Sequence, residues 1–165
     1  MNCFAFSTAI AIGVGANAAS PFGSAKDTVS MAVSKVALLL LAFGQTDQSD
    51  VFCSSIIKTS PVGGPYGQAD YSNAVVLIRQ TRRSATSEAA LDLLSDLQSL
   101  ESEFGRDRSC EQRWGPRSLD LDLLLWGEMR LDHPQLVLPH PRMHLRSFVL
   151  EPLLQAMQGI HPPCW

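Results

Sequence analysis

The sequence predicts an α+β protein in which an antiparallel sheet is flanked by helices. Two segments, residues 27–43 and 87–104, carry apolar side chains at the spacing of a helix face. Apolar and β-branched runs precede and follow each of them, which is typical of strands. The resulting order is β-α-β-β-α-β, with long loops after the second strand and after the second helix. This order is typical of a ferredoxin-like core.

The first strand is predicted from about residue 4 to residue 14, where small and apolar residues run into Gly13 and Gly15. The third glycine of a dinucleotide-binding fingerprint is missing, so these two glycines indicate a turn packed against a strand. The first 19 residues also resemble a secretory signal peptide, but no lysine or arginine precedes Lys26. A buried strand is the favoured interpretation, and an exported protein cleaved after this stretch is the alternative.

The middle of the chain is predicted as helix, strand, loop and strand. The first helix covers residues 27–43 and ends at Gly44, a common helix stop signal. A second strand is expected over residues 50–59 and a third over residues 71–81. The segment between them, residues 60–70, is rich in proline and glycine, and long loops of this kind are often binding segments.

The second helix is expected to bury one leucine face and to leave polar residues at its edge. Leu91, Leu94 and Leu97 are predicted to lie in the core. The polar residues Gln98 and Glu101 are expected close to the same face near the C-terminal end of the helix, with a solvated edge of the helix as the alternative. After a second long loop, a strand begins at Asp120. A short strand over residues 136–138 and a last helix over residues 142–156 follow, the helix with these apolar residues facing inward: Leu145, Phe148, Val149 and Leu153.

Length and charge exclude several classes of protein. The chain has 165 residues, which predicts one domain over residues 1–165, because domains usually have ~100–200 residues. A net charge of −3 argues against nonspecific nucleic-acid binding, and no apolar run approaches the ~20 residues that span a bilayer. Seven of the ten arginines follow Gly105, so a local cationic site is expected.

The four cysteines are scattered, and no two form a C-x-x-C pair. This spacing argues against a metal knuckle, and so few cysteines in a chain of this length argue against a disulfide framework. The prediction is four free thiols in a reducing compartment, at Cys3, Cys53, Cys110 and Cys164.

Asp120 and Asp122 alternate with leucines, and this pattern indicates a metal site. Successive side chains of a strand point to opposite faces, so the two carboxylates share one face, roughly 6.6 Å apart along the strand. Leu119, Leu121 and Leu123 take the other face. Two neighbouring carboxylates repel each other unless nearby cations neutralise their charge. A ligand set made only of oxygen atoms favours hard ions such as Mg²⁺. A solvated edge strand with salt-bridged aspartates is the alternative that the pattern alone leaves open.

Motifs across the chain resemble those of the 6-hydroxymethyl-7,8-dihydropterin pyrophosphokinase family. The most specific is the ten-residue stretch Arg113-Trp114-Gly115-Pro116-Arg117-Ser118-Leu119-Asp120-Leu121-Asp122. Five further segments occur in the family's order: Gly15-Ala16-Asn17, Thr59-Ser60-Pro61, Tyr71-Ser72-Asn73-Ala74, Gly105-Arg106-Asp107-Arg108, and Pro139-His140-Pro141-Arg142-Met143 with Arg146 and Phe148.

The resemblance implies a folate-biosynthesis enzyme that transfers pyrophosphate from ATP to a hydroxymethyl pterin and releases AMP. It implies a cytoplasmic protein, expected to be a monomer, with no nucleic-acid or membrane partner. It also implies two Mg²⁺ ions bound by Asp120 and Asp122, and catalytic roles for Arg106, Arg117, Asp120 and Asp122. The residues implied to bind ATP are Gln98, Glu101, Arg106, Arg108, Arg117, Leu123, His140 and Arg146. The residues implied to bind the pterin are Thr59, Ser60, Val62, Tyr71, Asn73, Trp114 and Phe148.

A rival hypothesis from another class is a noncatalytic ferredoxin-like module that binds a nucleotide or regulates a partner. Individual residues also have simpler interpretations. Phe148 on an apolar helix face is more often a core residue, and Arg142 and Arg130 have the character of surface charge. His140 and His144 have the spacing of a zinc pair, but Pro141 interrupts the helix that such a pair needs. The paired aspartates distinguish the two classes, because a binding module has no need of them.

Overall fold

The computed structural model describes residues 8–110 and 114–159 of the chain. Its main sheet has five antiparallel strands: β1 (Ile10–Ala16), β2 (Val51–Cys53), β3 (Ile57–Thr59), β4 (Tyr71–Ile78) and β5 (Asp120–Trp126). The strand order is β2-β4-β1-β5, and β3 pairs with β4 on the same edge as β2. The predicted α+β architecture with a ferredoxin-like core is thereby confirmed.

Three helices cover the two faces of this sheet. Helices α1 (Ala25–Gly44) and α2 (Ser87–Glu103) pack on one face, and α3 (Ser147–Gln158) packs on the other. Alternate residues of β4 feed the two cores: Val76 faces α1 and α2, whereas Val75 faces α3. A separate hairpin lies between β5 and α3, formed by β6 (Leu131–His133) and β7 (Leu136–Leu138).

Helix α1 begins at a capping box and lies against the sheet. The Ser24 side chain accepts a hydrogen bond from the Asp27 backbone N–H, while the Asp27 side chain accepts one from the Ser24 N–H. Within the described residues α1 is long and apolar enough to cross a membrane by length and composition, so the expectation that no such run exists is wrong. Its residues Val29, Val36 and Leu40 are fully buried against the sheet.

Strand β1 is longer at its C-terminal end than predicted. It continues through Gly13 and Gly15 to Ala16, so these glycines lie in the central strand and not in a turn. They pair opposite Asp122 and Asp120 of β5, respectively. Residues 4–7 of the predicted strand lie outside the described residues. Because β1 is central, removal of the first 19 residues would delete the middle of the sheet.

The predicted second strand, residues 50–59, is two strands separated by an interruption. The side chain of Ser54 explains the break: its Oγ accepts the Val75 N–H at 2.9 Å, while the Ser54 N–H donates to the Val75 carbonyl at 2.9 Å. A side chain thus replaces one backbone group of the ladder, and β3 pairs further along β4.

Two helix predictions need correction. In α2 the buried leucines are Leu93, Leu97 and Leu100, whereas Leu91 and Leu94 are only partly buried. Three-residue steps rotate by 60° per step around an α-helix, so a core stripe must alternate steps of three and four. In the last segment, α3 begins only at Ser147, after a single 3₁₀ turn (Met143–Leu145). Leu145 therefore lies outside α3 and is 74% exposed, although Val149 and Leu153 are buried as predicted.

The cysteine prediction holds for Cys110 but not for Cys53. Cys110 is free and exposed. Cys53, the last residue of β2, is disulfide-bonded, whereas the predictions for Cys3 and Cys164 concern positions outside the described residues. The absence of a C-x-x-C pair in the sequence was a poor guide here, because spacing along the chain does not determine distance in the fold.

Candidate active site

A cleft of about 510 Å³ opens on the α3 face of the sheet. Its floor is formed by the ends of β1, β4 and β5, and its walls by the loop after β3, the loop before β5 and the start of α3. The cleft brings together all seven residues predicted to bind the pterin and four of those predicted to bind phosphates or metal: Thr59, Ser60, Val62, Tyr71, Asn73, Trp114 and Phe148, with Arg117, Asp120, Asp122 and Arg146.

Asp120 is held by two arginines. Arg106 Nη1 donates to Oδ1 of Asp120 at 2.6 Å, and Arg117 Nη1 donates to Oδ2 at 2.6 Å. Burial alone would raise the pKa of the Asp120 carboxyl, but the positive charges of Arg117 and Arg106 outweigh that effect and hold the pKa below its ordinary value. Asp120 is therefore a charged carboxylate whose charge is already balanced by the protein.

Glu101 is the buried centre of this charged cluster. Its Oε1 accepts from Arg106 Nη1 at 2.5 Å and from the Leu121 N–H at 2.8 Å, and its Oε2 accepts from Arg108 Nη2 at 2.6 Å. Burial raises the pKa of the Glu101 carboxyl, against the opposing effect of these donors. The position of Glu101 close to the buried face is thereby confirmed, and the alternative of a solvated edge position is wrong for this residue.

The reason lies in the turn after α2. Gly105 has φ 81°, which lets the chain reverse so that the Arg106 N–H donates to the Glu101 carbonyl at 3.1 Å. The guanidinium groups of Arg106 and Arg108 then fold back over the end of the helix. A residue at the solvent-facing edge of an isolated helix is in this way enclosed by the loop that follows.

Asp122 is the less compensated of the two aspartates. Its Oδ2 lies 3.4 Å from Arg146 Nη1 and 4.0 Å from His140 Nε2. Desolvation by the cleft walls, followed by the charge of Asp120, raises the pKa of the Asp122 carboxyl above its ordinary value. Desolvation also lowers the pKa of His140, which favours the neutral imidazole. Of the two aspartates, Asp122 is thus the one whose negative charge an added cation would stabilise more.

The other half of the cleft is uncharged and partly aromatic. Tyr71 and Asn73 of β4 and Phe148 of α3 all line this part of the cleft. The Asn73 Nδ2 donates to Thr59 Oγ1 at 2.8 Å. Trp114 is half-exposed at the rim and has a positive φ of 60°. Aromatic walls with a few polar groups are suited to a flat heterocycle.

Asn17 and Gln68 tie the two long loops together, and sequence reasoning gave neither a role. The Asn17 Nδ2 donates to Gln68 Oε1 at 3.2 Å, and its Oδ1 accepts the Arg117 N–H at 2.8 Å. The Gln68 Nε2 reaches the Trp114 carbonyl at 3.1 Å. Gly64 packs so closely there that an added Cβ would lie 2.4 Å from the same carbonyl. The motif Gly15-Ala16-Asn17 was the available signal.

Six predicted nucleotide residues are not among the residues that line the cleft. Glu101, Arg106 and Arg108 form the cluster behind Asp120, and His140 approaches Asp122 from the side. The side chain of Leu123 packs in the core beneath α1 and α2, so only its backbone could contact a nucleotide. Gln98 lies on α2 one turn before Glu101. Arg113 falls outside the described residues.

Arg142 is a cleft residue that the sequence analysis assigned to surface charge. It lies in the segment between the hairpin and α3 and lines the cleft beside Arg146. Desolvation is the main cause of the lowered pKa of His140, and the positive charge of Arg142 adds to it. A local pattern could not identify it, because an arginine at the predicted start of a helix looks the same whether it faces a cleft or open solvent.

The donor set suits a hard divalent ion bound by two carboxylates and by the ligands it brings. Among the described residues, no group of three or more histidine, cysteine or acidic side chains is arranged to hold a metal. The Asp120 and Asp122 pair fits Mg²⁺ better than zinc, because magnesium keeps several waters and substrate oxygens in its coordination shell. The raised pKa of Asp122 is consistent with a position that needs a cation.

Comparison with known proteins identifies the family. The profile of the 7,8-dihydro-6-hydroxymethylpterin-pyrophosphokinase family matches residues 11–158. Proteins named 2-amino-4-hydroxy-6-hydroxymethyldihydropteridine pyrophosphokinase are similar to this chain. The one from Bacillus subtilis is 44% identical over 107 residues, covering 65% of this chain and 59% of the relative. The one from Pseudomonas aeruginosa is 40% identical over 122 residues, covering 74% and 70%.

A third relative, from Haemophilus influenzae, is 42% identical over 113 residues, covering 68% of this chain and 65% of the relative. The matches to the Bacillus and Haemophilus proteins thus span less than two thirds of those relatives' lengths. The family profile, in contrast, runs from β1 to the last residue of α3 and includes every residue that lines the cleft. The chain belongs to the 7,8-dihydro-6-hydroxymethylpterin-pyrophosphokinase family.

Proposed function

We propose that this chain transfers pyrophosphate from ATP to the hydroxymethyl group of 6-hydroxymethyl-7,8-dihydropterin, releases AMP, and acts in folate biosynthesis. The observation that carries the proposal is the family match over residues 11–158, which contains both halves of the cleft. The names of the relatives supply the pterin substrate and the pyrophosphokinase activity.

The uncharged half of the cleft is proposed to bind the pterin. Tyr71 and Phe148 would stack on the flat ring, and Trp114 would cover it from the rim. Asn73 and backbone groups of residues 59–62 would satisfy the donors and acceptors of the ring edge. These residues come from β3, β4, α3 and two loops, so the ring would be enclosed by elements from most of the chain.

The charged half is proposed to bind the triphosphate. Arg117 lines the cleft and donates to Asp120, so its positive charge lies where phosphate oxygens would bind. Arg146 and His140 flank Asp122 on the other side. Arg106 and Arg108 are expected to act from behind Asp120, together with Gln98 and Glu101 on the nucleotide side. Arg142 joins this set from the cleft wall.

Asp120 and Asp122 are proposed to hold two Mg²⁺ ions. When bound, such ions neutralise charge on the triphosphate and orient it for in-line attack. The protein's own contribution is positional: one half fixes the pterin hydroxyl and the other fixes the β-phosphorus. The hydroxyl oxygen bonds to the β-phosphorus, the bond from the β-phosphorus to the AMP oxygen breaks, and the hydroxyl proton is released.

The decisive measurement follows AMP release from ATP with Mg²⁺ and 6-hydroxymethyl-7,8-dihydropterin. The expected result is AMP formed in equal amount to pterin diphosphate, with none above background when the pterin is omitted. ATP binding without AMP release under these conditions would favour the rival, a noncatalytic nucleotide-binding module. Chelation of Mg²⁺ should abolish release, and its return should restore it.

The setting of the enzyme is part of the proposal. We expect one catalytic domain over residues 1–165, in the cytoplasm, acting as a monomer without nucleic-acid or membrane partners. The net charge of −3 supports the expectation about nucleic acid. The burial of the inner face of α1 against the sheet supports the expectation about membranes.

A further inference from the structure

We propose that the side chain of Thr59 is a positioning residue, which holds the Asn73 amide so that its carbonyl oxygen is presented to the pterin ring. The inference rests on the proposed function. It assigns to the Thr59 hydroxyl a role distinct from that of its backbone, which is expected to contact the ring directly. The role is that of a neighbour acting through Asn73 and not that of a catalytic group.

The contact is specified by the strand pairing at the edge of the sheet. In the β3–β4 ladder Thr59 pairs with Tyr71, and Ile57 pairs with Asn73. Thr59 and Asn73 are therefore diagonal neighbours across two strands, within reach of each other's side chains. The Asn73 Nδ2 donates to Thr59 Oγ1 at 2.8 Å, and both residues line the cleft.

On its other side the Asn73 amide lies against Gly15, whose lack of a side chain leaves room for the amide oxygen. Gly15 of β1 pairs opposite Asn73, and a Cβ built on Gly15 would lie 3.1 Å from Asn73 Oδ1. Gly15 also lines the cleft. The amide oxygen therefore occupies space that any side chain at Gly15 would compete for. Asn73 itself is only 7% exposed, so protein atoms enclose its amide on most sides.

The orientation of the Asn73 amide matches the hydrogen-bonding groups of a pterin ring. An amide carries a donor at one end and an acceptor at the other, and a flip exchanges them. With Nδ2 occupied by the Thr59 hydroxyl, the acceptor Oδ1 is left for the ligand. The 2-amino-4-oxo ring edge of a pterin presents adjacent N–H donors, which an acceptor can bind. Among the described residues, no protein donor is bonded to Oδ1.

The test compares Thr59→Val with Thr59→Ser. Valine matches threonine in shape but lacks the hydroxyl, whereas serine keeps it. We expect Thr59→Val to raise the KM for the pterin about five- to tenfold, with the KM for ATP unchanged and the protein still folded, because one positioning hydrogen bond is lost. Thr59→Ser should stay within about twofold of the wild type. Equal pterin KM values for Thr59→Val and the wild type would overturn the inference, as would equal loss in both variants.

A second readout needs no ligand. In ligand-free protein, the side-chain amide protons of Asn73 should give an NMR signal displaced by the hydrogen bond to Thr59. This signal should return toward the position of a solvated asparagine in Thr59→Val but not in Thr59→Ser. An unchanged signal in Thr59→Val would show that the bond is absent. A wild type that binds no pterin would instead overturn the proposed function, and this inference with it, whatever the amide signal.

Discussion

The two halves of the cleft are stabilised in opposite ways. The phosphate half is held by a closed set of buried ion pairs, in which Glu101 and Asp120 share Arg106. The pterin half is held mainly by the pairing of β3 with β4, with Asn73 bonded to Thr59 and Gln68 bonded to the Trp114 carbonyl. The charged half is thus assembled before any ligand binds, whereas the uncharged half leaves its rim exposed. Substitutions in the charged half should therefore affect stability as well as activity, and rim substitutions should affect activity alone.

Asp122 is an exception, because it belongs to the charged half but its negative charge is poorly balanced by nearby cations. We expect Asp122→Ala to lower turnover about 10³-fold or more while the protein stays folded, since it removes a proposed metal ligand. AMP release in a single turnover measures the effect, and the Tm reports the fold. Asp132→Ala, on the exposed part of β6, is the matched control and should have wild-type turnover. Wild-type turnover in Asp122→Ala would refute the metal role.

Glu101→Gln tests whether the buried ion pairs stabilise the charged half. The amide can still accept the Leu121 N–H, but the charge facing Arg106 and Arg108 is lost. Breaking such a buried pair typically costs about 3 kcal/mol, measured as the free energy of unfolding in urea. Glu103→Gln, on the same helix but exposed and paired with Lys35, should cost less than about 1 kcal/mol. Similar losses of unfolding free energy in both variants would mean that the buried ion pairs of Glu101 stabilise the protein no more than an exposed ion pair does.

Trp114 tests the opposite half, at the rim. We expect Trp114→Ala to slow turnover about ten- to a hundredfold, with a change in unfolding free energy of less than about 1 kcal/mol, because the residue lies half-exposed on a loop. The positive φ of 60° at Trp114 also predicts a difference in stability between the alanine and glycine variants. Trp114→Gly should be at least as stable as Trp114→Ala, since glycine adopts this conformation without strain. A large fall in Tm for both variants would identify Trp114 as a core residue.

The sequence predicted features that depend on strict local periods. The two-residue period of β5 assigned Leu119, Leu121 and Leu123 to the helix-covered core and the aspartates to the opposite face, as the structure shows. Features that depend on a later part of the chain folding back were missed. The enclosure of Glu101 requires the turn at Gly105, four residues further along the chain, and Arg106 in the loop that follows.

Other misses have the same origin. The break between β2 and β3 depends on Ser54 bonding to Val75, a residue of another strand, so the β-branched run itself gave no sign of it. The joining of the two long loops by Asn17 and Gln68 also links residues far apart in sequence. All the pterin residues came from the family resemblance, because no period or spacing distinguishes a ring-binding tyrosine from an ordinary strand residue.

Arg142 is exposed at the cleft wall, so its substitution should have a smaller effect than the changes above. We expect Arg142→Ala to raise the KM for ATP about three- to tenfold without changing the KM for the pterin, and the effect should diminish at high salt. Steady-state kinetics at low and high ionic strength measure both. Arg130→Ala removes an equally exposed arginine near the hairpin and should leave both constants unchanged. Equal effects of the two variants would mean that Arg142 acts only through net charge.

The two aspartates should respond oppositely to pH in Mg²⁺-free protein. The pKa of Asp120 is lowered in the fold, so its carboxylate adds stability above the unfolded pKa, and that stability is lost as the pH falls through the folded pKa. The pKa of Asp122 is raised, so the fold favours its protonated form, and stability is lost as the pH rises through the window between the unfolded and the folded pKa.

Substitution by asparagine separates these contributions. Urea unfolding between about pH 3 and about pH 8 should show Asp122→Asn gaining on the wild type as the pH rises, because it removes a charge that Asp120 repels. Asp120→Asn should fall behind over the same range, because it leaves Arg106 and Arg117 without their partner. Added Mg²⁺ and ATP should then stabilise the wild type more than either variant. Parallel curves for the two variants would show that the carboxylates share their charge equally, and the contrast drawn between them would fail.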